Sequence, residues 1–373
     1  MKVLILQRVI PPYRVAVFRK LTARKDHEVS LLIGEDVNAS KAKNSKDLSF
    51  INYTRLPVKT ITILGRVFTW HIGLLSAIRH RRPDIIVCEA ESHFLGYMTA
   101  IFYKLFFSRS TKLVLWCFYV LPGIRKERSV FHAMVKSIAR SCFDGFVSYT
   151  SLGKSYLLSL GIPEEKITVA VNVCDTTAYL EKDKLLQFSK DEAKARLGVE
   201  KKFVVSYIGT VDSVKKPEVL VALAERFRSE NFHFYIVGSG PAEQALRDRI
   251  KENGLSNITL TGRVTDSLDQ YYRATDVVII PGRGGVVISE AMCFSVPVIV
   301  HQADGVEYDL VLQNITGIIL NSGSVNDFEV EIRRFAAVPD HVRDMGENAQ
   351  RLILQSFNTE NMANAVMSAL MKL

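Results

Sequence analysis

The stretch Asp276-Val277-Val278-Ile279-Ile280-Pro281-Gly282-Arg283-Gly284-Gly285-Val286-Val287-Ile288-Ser289-Glu290 decides the fold class. After Asp276 come four β-branched residues, the unbroken apolar run of a strand buried on both faces. Three glycines follow, and a helix is expected from about Val286. Strand, glycine loop and helix in succession make a βα unit whose loop lies at the carboxyl end of its strand. Glycines let a backbone approach a ligand, and the free N–H groups of a helix start favour an anion, so the loop suits a phosphate or pyrophosphate. Glu290, about one turn into the helix, is placed to accept hydrogen bonds from a ribose diol. A mobile loop before an exposed glutamate would give the same letters, so the reading needs support from elsewhere.

Outward from this stretch the pattern repeats. Strands expected at 203–208, 234–237 and 258–260 run into Gly209-Thr210-Val211-Asp212-Ser213-Val214-Lys215-Lys216, Gly238-Ser239-Gly240-Pro241 and Gly262-Arg263-Val264, and a strand at 297–300 closes the series. Helices are expected at 217–229 and 242–252. Lys215 and Lys216 beside a glycine loop at one sheet edge can neutralise a diphosphate. The first half alternates likewise, with strands at 3–6, 29–33, 85–88, 113–116 and 145–149 and helices at 14–24, 70–79, 93–107 and 130–142. The charged stretch 181–200 reads as connector and surface helix. The expectation is an α/β chain of two Rossmann-like, doubly wound domains, with the active site in the cleft between them. A length of 373 residues suits two domains. From Thr359 a last helix carries Met362, Val366, Leu370 and Leu373 on one stripe, which packs on its own domain or crosses back to the first.

With 48% hydrophobic and 23% charged residues, disordered and fibrous classes are excluded. The five cysteines, Cys88, Cys117, Cys142, Cys174 and Cys293, form no CxxC pair, which favours a reducing cytosol over a disulfide framework. The apolar run at the N-terminus is expected to be a strand, not a leader. The longest apolar stretch, 94–107, is interrupted by Lys104 and is too short to span a bilayer. Residues 1–175 hold 26 basic and 13 acidic side chains, and the remainder 22 and 26. A basic half points to nucleic acid, an anionic membrane or a phosphate-bearing substrate; no nucleic-acid recognition module is present, so nucleic acid ranks last. No Asp-x-Asp occurs, and no metal or cofactor is expected.

The ordered set Gly209…Lys215, Val237-Gly238-Ser239-Gly240-Pro241, Asn257-Ile258-Thr259-Leu260-Thr261-Gly262-Arg263-Val264, Ala274-Thr275-Asp276…Pro281, Glu290-Ala291-Met292, Pro297-Val298-Ile299-Val300 and Gly317-Ile318-Ile319-Leu320 resembles the retaining GT-B glycosyltransferases of the family 4 type. Asn172-Val173-Cys174-Asp175 resembles that family's interdomain Asn-Gly-Val-Asp element. The resemblance implies an acceptor domain at 1–172, a nucleotide-sugar domain at 173–355 and a helix at 356–373 that returns to the first domain. It implies that Glu290 binds the donor ribose and that Gly284, Gly285, Val286 and Val287 offer backbone contacts. Gly209, Thr210, Lys215, Lys216, Gly238, Arg263, Val264, Gly282 and Arg283 complete the donor set, the nucleotide-sugar being a substrate and no cofactor. Gly282 stands where the family has its first glutamate, Thr210 where it has arginine, and Lys216 where it has glycine; Arg263 or Arg283 is the candidate replacement for the missing arginine.

In such enzymes the first domain binds the acceptor. Tyr13 and Arg14 follow strand one and are candidates to touch it; His93, after the third strand, is the candidate base, with Glu89 and Glu91 behind it. A retaining transfer by front-face attack, assisted by the departing phosphate, requires no enzyme nucleophile. Basic and aromatic residues interleave through 66–82 and 97–112, as in proteins held at anionic lipid. The expected function is sugar transfer to a glycan or lipid-diphosphate-linked acceptor in bacterial surface polysaccharide or lipopolysaccharide synthesis, in the cytoplasm at the inner face of the membrane. A GT-B-shaped nucleotide-sugar epimerase and a noncatalytic partner protein are the alternatives left open.

Overall fold

The computed structural model describes residues 1–37, 43–63, 66–89, 94–117, 137–138, 140–302 and 305–373. These fall into two compact units, Met1–Asp175 with Thr359–Leu373, and Thr176–Asn358. The sequence boundaries had been set at 172/173 and 355/356; the units part three residues later at each.

The first unit is built on a parallel sheet of β1 (Lys2–Gln7), β2 (Glu28–Gly34), β3 (Tyr53–Leu56), β6 (Ile85–Glu89), β7 (Lys112–Cys117), β8 (Gly145–Ser148) and β9 (Ile167–Val169), in the order β3-β2-β1-β6-β7-β8-β9. β4 (Val58–Ile63) and β5 (Arg66–His71) form a separate antiparallel pair. This corrects the helix expected at 70–79: Trp70 lies in β5, and the helix Leu74–Arg81 starts only after Gly73, whose φ of 78° breaks the chain direction. Most of the helix expected at 130–142 lies outside the described residues. Along β1 every residue after Lys2 is buried, as a strand covered on both faces requires. Helix Thr359–Met371 belongs to this unit and buries Met362, Val366 and Leu370, each such side chain contributing about 1.5–3 kcal/mol. Lys20 pairs with Glu360 at 2.7 Å, fixing that helix to Val15–Thr22.

The second unit holds β10 (Phe203–Ile208), β11 (Phe232–Val237), β12 (Ile258–Gly262), β13 (Val277–Ile280), β14 (Val298–His301) and β15 (Gly317–Leu320), parallel throughout in the order β12-β11-β10-β13-β14-β15. The stretch 181–200 forms parts of two helices, Thr176–Leu185 and Lys190–Arg196. Val205, Phe234, Ile236, Val277 and Ile299 meet Leu220, Phe227, Phe328 and Ile332 in its core. In both sheets the winding reverses at the first strand: β2 and β6 flank β1, and β11 and β13 flank β10. Ligands of doubly wound sheets bind at the carboxyl ends of the strands at such reversals.

Candidate active site

At the reversal in the second unit, the loops after β10 and β13 press together. A Cβ on Gly282 would lie 2.4 Å from the Val214 carbonyl oxygen and 2.8 Å from Lys215 Cα. The Arg283 N–H donates to that same carbonyl at 3.4 Å. Only glycine fits. The loop that carries Lys215 therefore occupies the space a glutamate at this position would need. The other glycine-bearing ends are joined as well: Gly209 N–H donates to Val237 O at 2.9 Å, Val211 N–H to Ser239 O at 3.1 Å and Gly238 N–H to Gly262 O at 2.9 Å. Gly209, Gly238 and Gly282 thus serve loop-against-loop packing, whereas the Cβ position of Gly285 faces open space.

Asp212 sets the turn before Lys215, whose N–H donates to the Asp212 carbonyl at 3.1 Å and to its carboxylate at 3.2 Å. Lys216 has φ 53°, a left-handed conformation costing an ordinary residue about 1–2 kcal/mol. Glycine would adopt it freely. Lys216→Gly is expected to leave stability unchanged or raise it by up to about 1 kcal/mol, after the chain entropy of glycine is set against the relief. It is expected also to weaken diphosphate binding, and thermal melting beside UDP titration checks both.

Glu290 sits in helix Val287–Cys293, where its Oε2 accepts the Tyr272 hydroxyl at 2.8 Å and its carboxylate also accepts from Tyr179. Tyr272 stacks on Phe294 at 4.9 Å and Tyr179 meets that ring edge-on at 6.1 Å, so both phenols are held in place. Burial raises the Glu290 carboxyl above the usual range, against the hydrogen bonds from Tyr272 and Tyr179 and the charges of Lys215 and Lys182. The native chain then binds more protons than the unfolded chain between the ordinary and the raised pKa. Unliganded stability from this group accordingly falls as pH rises through that window. Urea midpoints of the wild type are expected to show this slope, and Glu290→Gln to remove it. Glu290→Ala is expected to weaken nucleotide-sugar binding by about 1–3 kcal/mol, the effect of removing a hydrogen-bonding carboxyl from the place expected for the ribose diol; calorimetric titration measures it.

The other expected residues lie around this point. Gly284 packs on Ile280 and Ile288, Val286 caps the helix and Val287 opens it. The helix is only seven residues long, and the lysines whose charges act on Glu290 are Lys215 and Lys182. The Thr210 carbonyl accepts the Tyr207 hydroxyl; Arg263 and Val264 follow β12, with Arg263 exposed. His301, at the end of β14, was missed: burial and the nearby charge of Lys216 lower its pKa. Tyr179 and Tyr272 were missed too. Among the described residues no three His, Cys, Asp or Glu side chains converge as a metal site.

In the first unit, Tyr13 and Arg14 form the 3-10 turn Pro12–Arg14 after β1, Tyr13 exposed and Arg14 buried. Glu89, at the end of neighbouring β6, accepts the Arg8 N–H at 3.2 Å. His93 and Glu91 lie outside the described residues.

Residues 189–352 match the glycosyl transferases group 1 family model. The chain is 27% identical over 169 residues to the D-inositol 3-phosphate glycosyltransferase of Segniliparus rotundus, covering 42% of this chain and 37% of that protein. It is 24% identical over 245 residues to the Gordonia bronchialis protein of the same name, covering 61% and 52%. It thus spans between about a third and a half of the length of these curated relatives. Among solved structures, Anabaena Alr3699/HepE in complex with UDP superposes with a TM-score of 0.76 at 17% identity over 100% of both chains. A Rickettsia africae glycosyltransferase gives 0.75 at 15% identity over 98% and 97%, and the Thermosynechococcus elongatus sucrose-phosphate synthase 0.72 at 18% over 100% and 98%. The fold is GT-B, and the segment of its second unit at 189–352 is similar to the glycosyl transferases group 1 model.

Proposed function

We propose that the chain transfers a sugar from a nucleotide-sugar, with retention and without a metal ion, to a glycan or lipid-diphosphate-linked acceptor in bacterial surface polysaccharide synthesis. The observation that carries this is the gathering of Lys215 with Glu290, and of Lys216 beside His301, at the strand-order reversal of a unit whose residues 189–352 match the group 1 model. Uridine is the proposed donor base, since HepE is described with UDP and with UDP-glucose. Lys215 and Lys216 stabilise the charge that develops on the leaving diphosphate, and the departing phosphate takes the acceptor proton on the same face. Incubation with a panel of nucleotide-sugars and a lipid-diphosphate glycan in the presence of chelator tests this. Nucleoside diphosphate release with a product of unchanged anomeric configuration is expected. Absence of transfer from every donor, or activity that only magnesium restores, contradicts it.

Association with the inner face of the membrane belongs to the same proposal. The first unit carries a net charge of +13. Phe102, Leu105, Phe106 and Phe107 are 44%, 54%, 69% and 45% exposed at one end of helix Phe94–Phe106, beside a groove to which Arg79, His80 and Arg82 contribute. Arg79 covers the Phe107 ring at 4.4 Å. Lys104, which interrupts the apolar stretch 94–107, is paired with Asp144 at 2.6 Å. Among the described residues no helix is long and apolar enough to cross a membrane. Each basic group near an anionic surface contributes about 1 kcal/mol. Glutamate at Arg79 and Arg82 is expected to abolish co-sedimentation with anionic vesicles at low salt while leaving UDP titration unchanged. Equal sedimentation with zwitterionic vesicles contradicts a charge-driven contact.

A further inference from the structure

Arg14 is 7% exposed, and its Nε and Nη1 have no hydrogen-bond partner. Its guanidinium lies over the face of Tyr149 at 4.3 Å and 5.4 Å from the ring of Trp116. That is stacking geometry; the Tyr149 hydroxyl is set against Arg14 itself, where it accepts from the guanidinium, and the Trp116 Nε1 has no partner. Among the described residues no carboxylate forms an ion pair with Arg14; Glu89, near enough to favour its charge, accepts the Arg8 N–H. Native proteins pair nearly all buried polar groups, and an unpaired buried cation is the costliest exception. Here three such atoms, Arg14 Nε and Nη1 and Trp116 Nε1, come from two chain segments, with the Tyr149 hydroxyl of a third beside them. Arg14 follows β1, Trp116 lies in β7 and Tyr149 follows β8, so all three stand at the carboxyl edge of one sheet, where such folds bind ligands.

We propose that Arg14, Trp116 and Tyr149 form an oxyanion site that receives a phosphate or carboxylate of the acceptor. The role of acceptor rests on the transfer reading; the oxyanion site does not. Arginine offers two N–H groups to one oxyanion, and the indole N–H and phenol O–H supply further donors with no acceptor of their own.

Trp70 is exposed and Trp116 buried, and the chain has no other tryptophan. In a Trp70→Phe chain, Trp116 emission therefore reports this site alone. Titration with inorganic phosphate, pyrophosphate and acetate, against chloride as ionic-strength control, is expected to give a saturable change with at least one oxyanion. Preference for phosphate or for acetate distinguishes a phosphorylated acceptor from a carboxylated one. Arg14→Met in that background is expected to weaken the response at least tenfold with an unchanged or higher melting temperature, since it removes an unpaired buried charge. Lys215→Ala with Lys216→Ala is expected to leave it intact. Should Arg14→Met fail to fold, Tyr149→Phe takes its place, with several-fold weaker binding expected. No saturable change with any oxyanion, or an unaltered titration in the variants, overturns the site. A Trp116 response without sugar transfer would leave the site standing and remove the transfer reading. Transfer with an unchanged KM for anionic acceptors in Arg14→Met would overturn the acceptor role of the site.

Discussion

Lys215→Ala is expected to lower turnover about 10²–10³-fold while loosening nucleoside binding little. The backbone of Lys215 is fixed by the Asp212 turn at the reversal of the sheet, where charge would accumulate on a departing diphosphate. The short helix Val287–Cys293 adds little compensating dipole, which leaves Lys216 and Lys182 to offset the loss. Single-turnover rates with one donor, compared with titrations of uridine and UDP, separate the two effects. Equal losses for uridine and UDP would place Lys215 outside the leaving-group site.

Gly282→Glu carries the second large effect, with a sign opposite to what family likeness alone suggests. By resemblance the substitution restores a missing carboxylate. By geometry it drives a Cβ to within 2.4 Å of the Val214 carbonyl, backbone against backbone, where neither side can swing away. Overpacking of this kind costs about 1–3 kcal/mol or more, and relief requires the Lys215 loop to move. A lower melting temperature together with lost donor binding is expected. A variant that melts like wild type and turns over faster would show that the two loops are separable.

The central βα units were legible because β13 and the part of β11 after His233 are fully buried and written in unbroken apolar runs; His233 is why the start of β11 at Phe232 was not. The β4–β5 pair was not legible. Trp70, Leu74, Leu75 and Ile78 fall at helical spacing, and only the antiparallel register from Val58↔His71 to Ile63↔Arg66 shows where the helix does not reach. β3 is almost wholly exposed and carries no burial alternation, so nothing in its letters marked a strand. At the site, Glu290 and the two lysines were visible as residue types at strand ends. The tyrosines that hold Glu290 were not, since they come from separate helices brought together by the fold. Nor could the letters tell a glycine that faces a ligand from one, such as Gly282, that faces another loop.

The position of a bound nucleoside diphosphate tests the account most directly. A crystal structure of the chain with UDP and chelator is predicted to place the diphosphate at Lys215 and Lys216 and the ribose hydroxyls on Glu290, with Tyr272 still donating to that carboxylate. UDP bound elsewhere on the second unit, or a ribose turned away from Glu290, would contradict it.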